Sequence, residues 1–232
     1  MKTRLAWHAR VFGSALALVS LAGATEAPGL HHFTHVPHEV LAFYYPWYGS
    51  NGRHWGGSDP VQHKILNATH YPVAGAYDSH DRGVIDSQID MAKTHGLTGF
   101  VSSWWGRGTF EDQAVPILLD AAEKKGFHVS VYWEKAPGKG AQQIGEAISD
   151  LVYILNHYGA SKAFLKVDGK PVIFVYGRVL QQVPLDSWPV ILSGARAKAG
   201  DFILVADGFA MKSTLAFSTP STYTTLPVRW NT

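Results

Sequence analysis

The chain has 232 residues, 46% of them hydrophobic, with 20 Lys and Arg against 18 Asp and Glu and no cysteine. That length supports one sizeable core but is short for two full domains, and the basic residues are too scattered to form a footprint for nucleic acid or an anionic membrane. Without cysteine, disulfides, thiolate-ligated zinc and thiol catalysis are excluded.

Residues 1–24 read as a secretory signal peptide. Lys2, Arg4 and Arg10 precede the apolar run from Val11 to Ala22, and the small residues Ala22-Gly23-Ala24 follow it. The run is short for a bilayer span, so a secreted or periplasmic protein with no membrane span after signal cleavage is expected; an uncleaved anchor is the alternative. Residues 25–38 carry Pro and His where a core would need apolar periodicity, and read as a linker or N-terminal arm.

The folded unit is expected over residues 39–208. Val40 to Tyr45 is a strand-length apolar run ended by Pro46. The long loop that follows, residues 46–82, is of the kind that usually carries function. Residues 83–95 have helical spacing and close at Gly96; residues 97–104 return to strand character. A second helix is expected over 111–125 with Gly126 as its stop, a third strand over 127–133, and a third helix over 141–158 ending at Gly159. Residues 164–167, the Asp168-Gly169 turn and residues 171–176 suggest a small hairpin or a turn feeding a fourth strand. A fourth helix over 188–199 leads to a fifth strand over 202–206, ending in Asp207-Gly208. Residues 209–232, rich in Ser and Thr with Pro220 and Pro227, read as an irregular segment.

Strands alternating with helices in this way predict parallel βαβ units, in a barrel or a doubly wound sheet. Tyr45-Pro-Trp-Tyr, Ser102-Ser-Trp-Trp, Trp133-Glu134, Tyr176 and Asp207 all fall at C-terminal strand ends, where (β/α)8 barrels build their sites. No Gly-x-Gly-x-x-Gly turn follows the first strand. The expected fold class is therefore α/β, of (β/α)8 TIM-barrel type and incomplete, since about five βα units are readable where a full barrel has about eight.

Glu134 is the leading catalytic candidate, because it follows an apolar strand directly and would sit among aromatic walls that raise a carboxyl pKa. The alternative is a surface glutamate paired with Lys135 or Lys139. Glycosidase chemistry needs a second carboxylate, for which Asp207 and Asp78 are the candidates. Asp207 also fits an ordinary Asp-Gly turn, and Asp78 precedes a helix start where aspartates, Asp81 in particular, serve as caps. Tyr45, Trp47, Tyr48, Trp55, Trp104, Trp105, Trp133 and Tyr176 would form an aromatic cleft for sugar rings, with His54 orienting a hydroxyl; aromatic core packing is the competing reading. The 12 histidines include no His-Glu-x-x-His pattern, and Gly138-Lys-Gly lacks phosphate-loop spacing, so neither a metal nor another cofactor is expected.

The series Phe43-Tyr-Tyr-Pro-Trp-Tyr-Gly, His54-Trp55, Tyr77-Asp-Ser-His-Asp, Gly99-Phe-Val-Ser-Ser-Trp-Trp, Pro116-Ile-Leu-Leu-Asp-Ala-Ala, Tyr132-Trp-Glu and Gly169-Lys-Pro-Val-Ile-Phe-Val-Tyr resembles glycoside hydrolase family 99 and family 99-like bacterial proteins, over roughly residues 40–208. The resemblance implies a (β/α)8 barrel that cleaves α-mannosidic bonds as a retaining endo-enzyme, through a 1,2-anhydro sugar. It matches Glu134 to a glutamate that assists the sugar 2-OH, and sets Pro137 where an acid/base glutamate is expected. Proline donates no proton, so three options stay open: Asp207 or Asp78 supplies it, the substrate differs, or the protein binds carbohydrate on a degenerate barrel without cutting it.

Overall fold

The computed structural model describes residues 38–56, 58–59, 64–65 and 70–206. The signal peptide, nearly all of the arm, Asp207 and the segment 209–232 lie outside the described residues.

Strand β1 (Leu41–Tyr44) opens the fold, and the loop after it carries a small antiparallel ribbon of β2 (Ser58–Asp59) and β3 (Lys64–Ile65). Then come α1 (Arg82–Thr94), β4 (Gly99–Trp104), α2 (Phe110–Lys125), β5 (His128–Trp133) and α3 (Gln143–His157), the last entered through a 3-10 turn at Gly140–Gln142. The hairpin of β6 (Lys166–Val167) and β7 (Lys170–Val175) follows, then the short α4 (Gly177–Gln182), α5 (Trp188–Ala199) and β8 (Ile203–Ala206). Five strands run parallel in the order β1-β4-β5-β7-β8, and each crossover contains at least one helix. This is an open portion of a β/α barrel, as expected. The six-residue α4 was not foreseen, because a run that short shows no helical period.

Local chemistry explains the boundaries. Asp81 caps α1 by accepting the Val84 N–H at 3.0 Å, and Thr109 caps α2 by accepting the Asp112 N–H at 3.2 Å. Gly126 ends α2 in the left-handed region, at φ 58°. Pro116 lies inside α2 and cannot bond the carbonyl of Asp112 one turn back; the Tyr158 hydroxyl oxygen lies 3.3 Å from that carbonyl, while its proton goes to the Asp112 carboxylate. The β6–β7 turn has positive φ at both Asp168 and Gly169, the signature of a type I′ hairpin.

Strand alternation divides the sheet into two faces. Tyr44, Phe100, Trp104, Val129, Val131, Trp133, Ile173 and Val175 point to the helices and build the main core with α1, α2, α3 and α5. The register pairs Phe43 with Val101 and Ser103 with Tyr132, so these residues share the opposite face with Phe174. A second, smaller apolar cluster of Leu165, Val172, Ile203 and Val205 occupies that face, with Leu41 and Phe174 against it. In a barrel this face is the interior, and its upper end is where a site forms.

Candidate active site

Glu134 continues the inward-facing row of Ser130 and Tyr132 one step past the end of β5. Its N–H bonds the Trp104 carbonyl at 3.0 Å, and the next rung joins the Tyr176 N–H to the Trp133 carbonyl at 3.0 Å. The ladder thus extends beyond the strands and fixes the backbone that carries Glu134 and Tyr176. Although it lies at the mouth, Glu134 is only 6% exposed.

The Ser103 hydroxyl lies beside the Glu134 carboxyl. Its oxygen accepts the indole N–H of Trp47 at 2.9 Å and of Trp105 at 3.1 Å. Burial pushes the Glu134 pKa above the ordinary glutamate value; the Ser103 hydrogen bond and the Arg178 charge oppose the rise, and the Glu111 charge adds to it. Glu111 is itself buried and paired with Arg53 at 2.8 Å. The Oε1 of Glu134 is buried and finds no hydrogen-bond partner among the described residues.

Aromatic rings surround this carboxyl. Tyr45 lies 4.7 Å from Trp47 between ring centroids, Trp47 lies 6.4 Å from Trp105 and Tyr132 lies 5.6 Å from Tyr176. Phe43 bridges Tyr45 and Tyr132. Phe43 and Tyr45 are 43% and 42% exposed, so the trough has an open apolar wall. Burial, followed by the charge of Glu134, raises the Tyr45 phenol pKa. The Arg178 guanidinium lies 5.6 Å from the Tyr176 ring.

The loop after β1 is folded back over this wall. The Trp47 N–H reaches the Tyr45 carbonyl around Pro46 at 2.8 Å, and Tyr48 is tied to Ser79 through both its N–H and its carbonyl. Asp78 accepts from the Ser50 N–H and hydroxyl, each at 3.0 Å, and from the His80 N–H at 2.8 Å. Burial alone would raise its pKa, but these donors together hold it below the usual aspartate value. His54 is exposed, with positive φ, its ring 5.5 Å from Trp47 and 6.1 Å from Tyr48.

The residues predicted from the sequence separate into three groups. Tyr45, Trp47, Trp105, Tyr176 and Glu134 come together, with Tyr48 and His54 at the loop side. Trp55 is buried behind Tyr48, with ring centroids 4.1 Å apart and tilted by 33°, and its indole N–H is on the Tyr77 carbonyl. Trp104 and Trp133 correct the expectation of a cleft lined by all the tryptophans: both are fully buried on the helix side. Adjacent strand residues point to opposite faces, so Trp104 and Ser103 cannot share one. Asp207 lies outside the described residues.

Phe43, Ser103, Tyr132 and Arg178 were not singled out as site residues. Counting back in twos from Glu134, and across the register to β4, would have found Tyr132 and Ser103. Arg178 carried no such signal. Among the described residues, no cluster of three or more His, Asp or Glu could hold a metal ion, and no helix is long and apolar enough to cross a membrane.

A buried carboxyl with a raised pKa in an aromatic trough can stack sugar rings and exchange a proton or hydrogen bond with a hydroxyl. Comparison with known proteins points the same way. A glycoprotein endo-alpha-1,2-mannosidase from Mus musculus is 26% identical over 183 residues, which are 65% of this chain and 38% of that protein. A mouse glycoprotein endo-alpha-1,2-mannosidase-like protein is 26% identical over 208 residues, or 75% and 44% of the two chains. The chain therefore spans less than half the length of these curated relatives. The GH99 endo-alpha-mannosidase from Bacteroides thetaiotaomicron superposes with a TM-score of 0.59 at 27% identity, covering 72% of this chain and 54% of that one. A glycoside hydrolase-like protein at 13% identity and TM-score 0.50 shares the fold alone. The sequence model of glycosyl hydrolase family 99 matches residues 25–199, well over half of the chain, and the protein belongs to that family.

Proposed function

We propose that this chain acts on mannosyl glycans, with Glu134 meeting a sugar hydroxyl and Tyr45, Trp47, Trp105 and Tyr176 holding the rings. The supporting observation is the Glu134 carboxyl, buried at the mouth of the sheet with one oxygen unpartnered among the described residues and an open aromatic wall beside it. The related mannosidases make an endo-acting cut at an α-mannosidic bond the leading reaction, with Glu134 as base toward the sugar 2-OH. Asp207 remains a candidate proton donor. Asp78 is a weaker one, since its carboxylate is committed to Ser50 and His80. Export by residues 1–24, the arm at 25–38 and a catalytic unit over 39–208 belong to the same proposal.

A second reading, glycan binding without turnover, is favoured by a specific observation. Glu111, whose charge reaches Glu134, is already held by Arg53, and Pro137 offers no proton. Calorimetry with α-mannan oligosaccharides, together with assay of released reducing ends, separates the two. Binding with release that Glu134→Gln abolishes supports the enzyme, and binding without release supports the second reading. Failure to bind any mannosyl glycan would overturn both.

A further inference from the structure

We propose that the glycan held by this trough carries an anionic substituent, a phosphate, sulfate or carboxylate group, and that Arg178 is the residue that selects it. This selectivity deepens the mannosyl-glycan reading of the trough and rests on it, and it asks nothing of Glu134 in turnover.

Arg178 carries a charge without a partner. Arg53, Arg82, Arg107 and Arg196 are each ion-paired with a carboxylate. Arg178 is the remaining arginine among the described residues; it is exposed, and no ion pair or hydrogen bond among those residues engages its guanidinium. A guanidinium stays charged at every pH the protein meets and presents a fork of donors that matches two oxygens of one anion. On a bare surface such a group would merely be solvated. Its placement sets it apart.

Tyr176 stands just past the end of β7, with its N–H on the Trp133 carbonyl, and α4 begins at the next residue. Arg178 therefore follows two positions after a ring of the trough. Its guanidinium carbon lies 5.6 Å from the centroid of that ring. The Tyr176 ring is in turn 5.6 Å from Tyr132, which lies 4.8 Å from Phe43. The charge thus stands at the end of a row of aromatic rings and not out on the helix layer. Contact with the phenol face restrains the guanidinium while its N–H groups stay available for a bidentate bond to an oxyanion.

Neighbouring chain adds charge of the same sign. The loop after β5 bears Lys135 and Lys139, both exposed and neither ion-paired among the described residues. The Ala136 N–H of that loop bonds the side-chain carbonyl of Gln182 at 3.3 Å, which holds the loop beside α4. Across residues 134–142 and α4 these three cations stand against a single carboxylate, Glu134. Glu134 is 6% exposed and not ion-paired with Arg178, and its burial favours the neutral form. An anion arriving at Arg178 therefore meets a net positive rim.

Calorimetry and nuclear magnetic resonance on the full chain test this together. The calorimetric ligands are α-linked mannotriose, the same trisaccharide with one phosphate monoester, and a third with one mannuronate carboxylate. At low salt one or both acidic ligands should bind about tenfold more tightly than the neutral one, and which of them does so distinguishes phosphate from carboxylate. Arg178→Gln should bring that preference close to one, whereas Arg178→Lys should keep part of it. The Arg178 Nε–H resonance, assigned through Arg178→Gln, should shift as inorganic phosphate is added. Equal affinities for neutral and acidic ligands, or a preference that survives in folded Arg178→Gln, would overturn the proposal and leave the mannosyl-glycan reading standing. Phosphate that shifts the Arg178 resonance while no mannosyl ligand binds would keep the anion site and sink that reading. If neither phosphate nor any glycan binds, both fall.

Discussion

Trp104 of β4 donates its indole N–H to the Asp112 carboxylate of α2 at 2.6 Å, and this pair clamps β4 to the helix layer. Asp112 also accepts the Gly108 N–H at 2.9 Å and the Tyr153 hydroxyl at 3.0 Å, and the Tyr158 hydroxyl bonds it as well. A buried carboxylate with that many donors is a structural node. Asp112→Ala would strand several buried donors at once and is expected to cost about 3 kcal/mol or more. In a chain of this size that lowers the Tm by roughly 6–12 °C, to be read by thermal denaturation.

Glu134→Gln should give a more stable protein at neutral pH. Burial raises the folded-state pKa of Glu134 above its unfolded value, so folding favours the protonated carboxyl. The stability it contributes is fully present below the unfolded pKa and is lost as pH rises through the raised, folded pKa. Glutamine is neutral at every pH, so the mutant's advantage in Tm should be largest at neutral pH and close as the pH falls. A Tm difference independent of pH would contradict the burial argument.

Asp78 predicts the opposite slope. Its folded-state pKa is depressed by the donors of Ser50 and His80, so its stabilisation is present above the unfolded pKa and disappears as pH falls through the folded one. Asp78→Asn should therefore be destabilising at neutral pH and nearly silent in acid. Limited proteolysis of residues 46–56, which Asp78 ties down through Ser50, would report the loss locally.

Neighbouring tryptophans should behave differently. Trp105→Ala removes a half-buried ring of the trough and is expected to weaken mannosyl-glycan binding about tenfold or more with little change in Tm. Trp133→Ala empties a fully buried site in the main core and should cost about 3–5 kcal/mol. Calorimetric titration and thermal melts on both variants test the division.

Gly99 opens β4 between β1 and β5, where an added Cβ would lie 2.9 Å from the His128 carbonyl oxygen and 2.8 Å from Leu41 Cδ2. Backbone cannot yield as a flexible side chain can. Gly99→Ala is expected to destabilise the chain by about 1–3 kcal/mol, measurable as a lower urea midpoint.

The βα order was legible because the strands of a parallel sheet are short apolar runs and their crossover helices show a 3.6-residue period. The five parallel strands and the helices α1, α2, α3 and α5 fall where the sequence puts them, within a few residues. Glu134 was legible for the same reason, as the first carboxylate after a strand. The faces were harder to read. Ser102-Ser103-Trp104-Trp105 is polar and aromatic throughout, with no hydrophobic alternation to show which members point inward, and the tryptophans were assigned together. Only pairing with β5 shows that Ser103 shares a face with Tyr132 and that Trp104 sits with Trp133 beneath. The Ser103 bonds to Trp47 and Trp105 join residues far apart in sequence, and Arg178 enters the site on a helix too short to announce itself.

Among the described residues, β1 pairs with β4 alone and β8 with β7 alone, so the sheet ends in two unpaired margins. Backbone N–H and C=O groups on such margins seek a partner. Because Tyr45 rides at the end of one margin while Tyr176 stands a strand in from the other, whatever bonds to these margins tunes the curvature of the sheet. The spacing between the two tyrosines therefore depends on what those margins meet as well as on the five strands themselves.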